Sequence, residues 1–221
     1  MLGGVLLLIV ILVLLTLYGS AGIQYLFGLH HITAFYLFIG RTLFWLLFLG
    51  MWLYASRVER QKFLLWPEID YSFWVYILSL FVLTAAIVAS LTDASLILKL
   101  FLHNDESSRL IKQMDGIFKG NPLLIGYTAV TAGITEELIF RGYLLPRLNI
   151  LLKSPFLAIA VSSLIFAAGH IGYGTVINVI GPLIIGLATA FYYYLYRNIK
   201  VVITFHCLWD LTVLYLQIRH G

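Results

Sequence analysis

Charge is what this 221-residue chain has least of. Asp, Glu, Lys and Arg make up 11% of it and hydrophobic residues 62%, where an ordinary soluble domain carries about 25% charge. That excludes a soluble globular protein. It also excludes a disordered one, because apolar surface for burial is ample. Cysteine is nearly missing: Cys207 stands alone, which excludes a disulfide scaffold and leaves the redox compartment open. There is no basic patch either. Net charge is +4, but the cations are scattered between apolar segments instead of clustering with aromatics, so no nucleic acid is expected and anchoring at a membrane edge is. No internal repeat and no low-complexity linker occurs, and one integral domain is the economical reading.

What the chain has in abundance is apolar runs long enough to cross hydrocarbon, about 17 to 25 residues each. Bounded by polar or Gly/Pro punctuation, seven candidates run from Leu2 to Tyr18, Ala34 to Tyr54, Tyr71 to Leu91, Pro122 to Leu145, Pro155 to His170, Thr175 to Tyr196 and Val201 to Ile218. The expected fold is all-α, a polytopic integral membrane helix bundle with about seven transmembrane helices in a lipid bilayer. The first run reads as a retained helix and not a signal peptide, since Met1 to Gly4 carry no positive charge and no clean A-x-A site follows. Tyr192, Tyr193, Tyr194 and Tyr196 read as an interfacial aromatic belt, and Gly186 and Ala188 as points of close helix packing.

The longest polar interval, Thr92 to Asn121, holds Asp93, Lys99, Asp105, Glu106, Arg109, Lys112, Asp115 and Lys119. Within it Leu96, Ile97, Leu100 and Phe101, then Leu110, Ile111 and Met114, recur near helical spacing. This reads as one or two surface helices or as a solvated loop. Arg57, Glu59, Arg60 and Lys62 form a second hydrophilic connector. The N-terminal side collects Arg57, Arg60, Lys62, Arg147, Lys153, Arg197 and Lys200, against Arg219 and four cations of the long connector. The positive-inside rule then places the N-terminus inside and the C-terminus outside. The absence of a transit segment and the compact length point to a bacterial plasma membrane.

An ionisable group in the middle of a membrane helix costs on the order of 3 kcal/mol or more, so each one asks for a reason. Inside the seven runs these are Arg41, Glu136, Glu137, Arg141, His170, His206 and Asp210. Arg41, seven residues into its run, is expected to snorkel to the interface in preference to meeting a substrate carboxylate. All the others follow residue 135, so the chemistry is expected in the C-terminal half. Glu137 and Arg141, four apart on one helix face, neutralise each other. Glu136, turned about 100° away, has no partner in its own helix and faces the side of Ala132 and Gly133, where small residues admit another helix. An unpaired intramembrane carboxylate is a functional-site candidate.

Phe166 precedes His170 by four residues, and His206 precedes Asp210 by four, a spacing at which the carboxylate can fix the imidazole tautomer. Cys207 points about 100° away from His206, which argues against a Cys/His nucleophilic pair. His30, His31, His103 and His220 fall in connectors or at the C-terminus and read as solvated. A buried carboxylate, two imidazoles and an orienting acid form a hydrolytic set: a general base for water, with imidazole to assist or to steady an oxyanion. Glu136, His170 and His206 could equally be a zinc ligand set with one open position, although no H-E-x-x-H motif demands a metal; zinc or no cofactor both stay open. On these boundaries His170 lies near one membrane face and His206 nearer the other, so tilt, kinks or shifted boundaries must close the gap if they share a site.

These residues resemble the CAAX protease and bacteriocin-processing (CPBP, or Abi) family of intramembrane proteases. The match rests on E-E-x-x-x-R at Glu136, Glu137 and Arg141, F-x-x-x-H at Phe166 and His170, and H-x-x-x-N/D at His206 and Asp210, over roughly residues 122 to 215. The resemblance divides the chain into residues 1–121, N-terminal transmembrane helices plus an amphipathic connector, and residues 122–221, a catalytic helix bundle. It implies hydrolysis of a peptide bond in a membrane-associated protein or peptide, with water activated by Glu136 and His170, the oxyanion site built around His206 and Asp210, and Glu137, Arg141 and Phe166 in support. The family has been described both as metalloproteases and as metal-free glutamate proteases. Prenyl-protein-processing members typically carry Asn where this chain has Asp210. An ionised carboxylate only accepts hydrogen bonds, so Asp210 is expected to orient His206, and the departure argues against a CAAX substrate. The competing reading is a non-enzymatic immunity, scaffold or transport protein that binds through the same polar cavity. Transport is disfavoured because polar residues sit in one half only.

Overall fold

The computed structural model describes residues 1–101 and 109–220. His103, Asp105 and Glu106 lie outside the described residues. Every element among the described residues is helical. α1 (Leu2–Phe27) stops at Gly28, whose φ of 61° supplies the left-handed cap. α2 (Ala34–Tyr54) starts where Thr33 Oγ1 accepts from the Tyr36 amide and runs into a π-helical turn, Ala55–Glu59. α3 (Phe73–Phe101) and α4 (Arg109–Gly120) follow. α5 (Pro122–Glu137) opens on a proline, placed where a missing N–H costs nothing, and continues through π-helical Leu138–Leu144 into α6 (Leu145–Leu152). α7 (Pro155–Ala168), α8 (Ile177–Tyr196) and α9 (Ile199–His220) complete the chain.

Among the described residues seven segments are long and apolar enough to cross a membrane: Leu2–Phe27, Ala34–Glu59, Phe73–Leu98, Pro122–Leu152, Pro155–Tyr173, Ile177–Tyr196 and Ile199–Arg219. The protein is a multi-pass, all-α integral membrane bundle. Two expectations change in detail. Leu96 to Phe101 form no surface helix but prolong α3. The surface helix is α4, whose Met114, Ile117 and Phe118 pack with Leu124 and Ile125 of α5 and Leu214 and Ile218 of α9.

The centre of the bundle is α5 and its continuation. Residues 139–148 are all buried, and α5 packs between α2 and α9. Gly133 is where α9 comes closest: a Cβ there would meet the Cys207 backbone nitrogen at 2.7 Å and its Cα at 3.0 Å. Gly186 does the same for α7 and α8, since a Cβ would lie 3.2 Å from Ser163 Cβ and 3.3 Å from the Phe166 ring. Both close approaches follow the small-residue reading of the sequence.

The connector at 60–72 is not the solvated link its charges suggest. Glu59 is buried, accepts from Arg147 Nη2 at 2.7 Å and Nε at 2.9 Å, and accepts from Tyr143 Oη at 3.0 Å. Phe63 packs against Phe48 and Tyr143, and the Arg197 guanidinium lies 3.4 Å over the Trp66 ring. Glu68 accepts from Tyr193 Oη at 2.9 Å and from the Ile199 amide at 2.7 Å. Tyr193 is therefore fully buried and is no part of a lipid-facing belt. The connector straps the ends of α8 and α9 to the bundle.

Candidate active site

Successive residues on a helix point about 100° apart, and α5 has a different neighbour on each side. Glu136 turns toward α2, where Arg41 Nη1 donates to Oε1 at 3.0 Å. Glu137 turns toward α9, where its Oε1 accepts from His206 Nδ1 at 2.8 Å. The other Glu137 oxygen is ion-paired with Arg141 Nε at 3.1 Å, without hydrogen-bond alignment. Arg141, fully buried, donates from Nη2 to the Gly186 carbonyl at 3.2 Å and stands 4.6 Å from the Phe166 ring centre. The π-helical stretch begins directly after Glu137; such insertions frequently mark functional sites.

The F-x-x-x-H spacing has a direct physical meaning. His170 Nδ1 lies 3.0 Å from the Phe166 carbonyl four residues earlier and donates to it, which leaves Nε2 as the ring acceptor. The Phe166 ring separates the two histidines, with centroids 5.0 Å from His170 and 6.1 Å from His206. At His206, Nδ1–H is held by Glu137, and Nε2 lies 3.6 Å from Asp210 Oδ2 and 4.0 Å from Glu136 Oε2. Glu137 thus holds His206 by a hydrogen bond, and Asp210, expected to orient the same ring, faces Nε2 as an ion-pair partner at 3.6 Å.

The depth difference expected between His170 and His206 does not keep them apart: α7 ends at Ala168, and the turn after it brings His170 to the cavity that His206 lines. Glu136, His170, His206 and Asp210 line one cavity of about 340 Å³ together with Arg41, Phe166 and Tyr173. A second lobe of about 580 Å³ meets it at Arg41, Glu136, Phe166, His170 and Tyr173 and extends between α1 and α2 along Ile9, Leu12, Thr16 and Phe44. The site is a polar junction between two apolar lobes inside the membrane protein.

Two participants escape the sequence reading. Arg41 does not snorkel. Its charge is committed to Glu136 across 95 positions of sequence, and the signal was present, since it is the one charged residue between Ala34 and Tyr54. Tyr173, with its ring 5.8 Å from His170, sits in a turn that no periodicity singles out. The residues do not fit a zinc centre as they stand: among the described residues no three His, Cys, Asp or Glu side chains converge in a coordinating arrangement. Glu136, the carboxylate such a centre would need, is occupied by a guanidinium.

No curated protein and no solved structure matches this chain. A family model does, across 119–212, the stretch that holds every motif residue from Glu136 to Asp210. Residues 119–212, which carry Glu136, His170, His206 and Asp210 but not Arg41, are similar to the family described as "Rce1-like: Type II CAAX prenyl endopeptidase Rce1-like".

Proposed function

We propose that the protein is an intramembrane endopeptidase that hydrolyses a peptide bond of a membrane-associated protein or peptide, in a bacterial plasma membrane. The observation that carries this reading is the convergence of Glu136, His170, His206 and Asp210 from three separate segments on one cavity inside the membrane bundle. The residues after position 121 carry Glu136, both histidines and Asp210, and those before it supply Arg41 and close the cavity.

The chemistry needs a base, a path for the proton and a partner for developing negative charge. Arg41 holds Glu136 Oε1 and leaves Oε2 to take a proton from water. The water oxygen attacks the carbonyl carbon, and the C=O electron pair moves onto oxygen. His170, fixed through the Phe166 carbonyl, presents Nε2 as a second acceptor for that proton. His206, fixed through Glu137, faces the tetrahedral centre with Nε2. The C–N bond then breaks as the proton passes to the leaving nitrogen, giving a carboxylate and an amine. Asp210 keeps His206 in electrostatic register, and Glu137, Arg141 and Phe166 hold the histidines in place. No step passes through a metal, so cleavage is expected to persist in chelator; a loss restored by added zinc would overturn that part of the reading.

The deciding experiment compares membrane-proteome N-termini in cells lacking the protein after complementation with wild type or Glu136→Gln at equal abundance. New N-termini near membrane segments are expected with wild type only, and they name the substrate. Identical profiles, with both variants restoring the phenotype, overturn the peptidase reading in favour of a binding role.

A further inference from the structure

The four residues of the candidate site bring mostly acceptors to the cavity. Glu136 and Asp210 are carboxylates, which accept only when ionised. His170 commits Nδ1–H to the Phe166 carbonyl and offers a lone pair. His206 commits Nδ1–H to Glu137, and its Nε2 already lies near two carboxylates, Asp210 at 3.6 Å and Glu136 at 4.0 Å. A peptide carbonyl that becomes an oxyanion here meets carboxylates that repel it, and among these four residues only a protonated His206, through Nε2–H, can donate to it. A second donor must come from elsewhere in the cavity.

Arg41 answers the requirement. Among the described residues it is the only Lys or Arg lining either lobe, and it lines both. A guanidinium carries five N–H donors in a planar fork and stays charged. Among the described residues the one hydrogen bond of Arg41 runs from Nη1 to Glu136, and its side chain retains 21% exposure on the cavity. The remaining N–H groups lie within one guanidinium width of the base that activates the water, which is where the carbonyl oxygen must lie when that water attacks.

Resting on the peptidase reading, we propose that Arg41 is a catalytic residue: one N–H of its guanidinium orients Glu136 and another donates to the tetrahedral oxyanion, the role Asp210 cannot fill as a carboxylate. In the step, the water proton goes to Glu136, the carbonyl electron pair goes to the oxygen facing Arg41, and it returns as the C–N bond breaks and the nitrogen is protonated. The arginine neither gains nor loses a proton. An oxyanion donor of this kind is worth about 10²- to 10³-fold in kcat.

The test uses purified full-length protein in detergent and a quenched peptide spanning the bond that the N-terminal comparison identifies. Arg41→Lys keeps a cation beside Glu136 but loses the fork, and Arg41→Met loses both. For each, kcat is expected to fall about 10²-fold or more with KM within threefold of wild type. Adding Asp210→Asn places an amide N–H in the cavity, and it is expected to return at least tenfold of the lost kcat in either Arg41 background. A purely structural Arg41 gives no such rescue. Retention of kcat within threefold in Arg41→Lys overturns the proposal, and so does a loss that Asp210→Asn leaves unchanged in that background. If Arg41→Met does not fold, the Arg41→Lys pair decides alone. Glu136→Gln separates the two readings: cleavage persisting there removes Glu136 as the base and the role of Arg41 beside it, whereas an inactive Glu136→Gln beside a fully active Arg41→Lys removes Arg41 only.

Discussion

Glu137 shows how one side chain organises the site without facing its chemistry. Fully buried, it holds His206 with one oxygen and faces Arg141 with the other. Removing it strands a buried guanidinium, and breaking a buried pair in this way costs about 3–5 kcal/mol. Glu137→Ala is therefore expected to lower the unfolding free energy in detergent by that amount and to abolish cleavage. Glu137→Gln keeps an oxygen for His206 Nδ1–H and is expected to be milder on both counts. Unfolding curves for the two variants check this, and an Ala variant as stable as wild type refutes it. The Glu137–Arg141 pair was legible from its spacing of four. The Glu137–His206 and Arg41–Glu136 contacts, 69 and 95 positions apart, were not, because periodicity reports the face of a helix and not the helix it meets.

Among the elements, the contact of α5 with α9 sets the geometry of Glu136, Glu137, His206 and Asp210 at once. Its closest point is Gly133 on the Cys207 backbone, and backbone cannot swing aside as a side chain can. Gly133→Ala is expected to cost about 1–3 kcal/mol through overpacking and to reduce cleavage by moving His206 away from Glu136. Gly126→Ala on the same helix meets nothing within 4 Å, and the greater helix propensity of alanine makes it neutral or slightly stabilising. Thermal melts of the two variants, with cleavage rates, check the contrast; equal behaviour removes the close approach as a determinant. The seven spans and the role of small residues could be read from hydropathy and composition. Two features could not: the π-helical stretch after Glu137 and the extension of α3. Each depends on what the helix packs against once the chain has folded.

At the scale of the whole molecule, the charges outside the spans assign its direction in the membrane. Arg57, Arg60, Lys62, Lys153, Arg197 and Lys200 lie at the ends of α2, α6, α8 and α9 that share a side with the N-terminus, together with the buried Arg147. Acidic partners such as Glu59 and Asp70 are interleaved there, but acidic residues contribute little to orientation, and the excess of Lys and Arg decides it. The N-terminus is thus expected in the cytoplasm and the end of α9 on the opposite side. Because Cys207 is the sole cysteine, single-cysteine labelling can decide the matter in a Cys207→Ser background, a change that relieves rather than crowds the Gly133 contact. Lys119 and Lys153 are both exposed and flank Pro122–Leu152, a segment of 31 residues, or about 46 Å of helix, longer than the hydrocarbon core of about 30 Å. An impermeant maleimide added to intact cells is expected to label Lys119→Cys and not Lys153→Cys. The reverse pattern inverts the orientation, and labelling of both breaks the seven-span topology. The expected pattern also puts the turn after α7, which carries His170 and Tyr173 and lines both lobes, on the side of the bundle that faces outward.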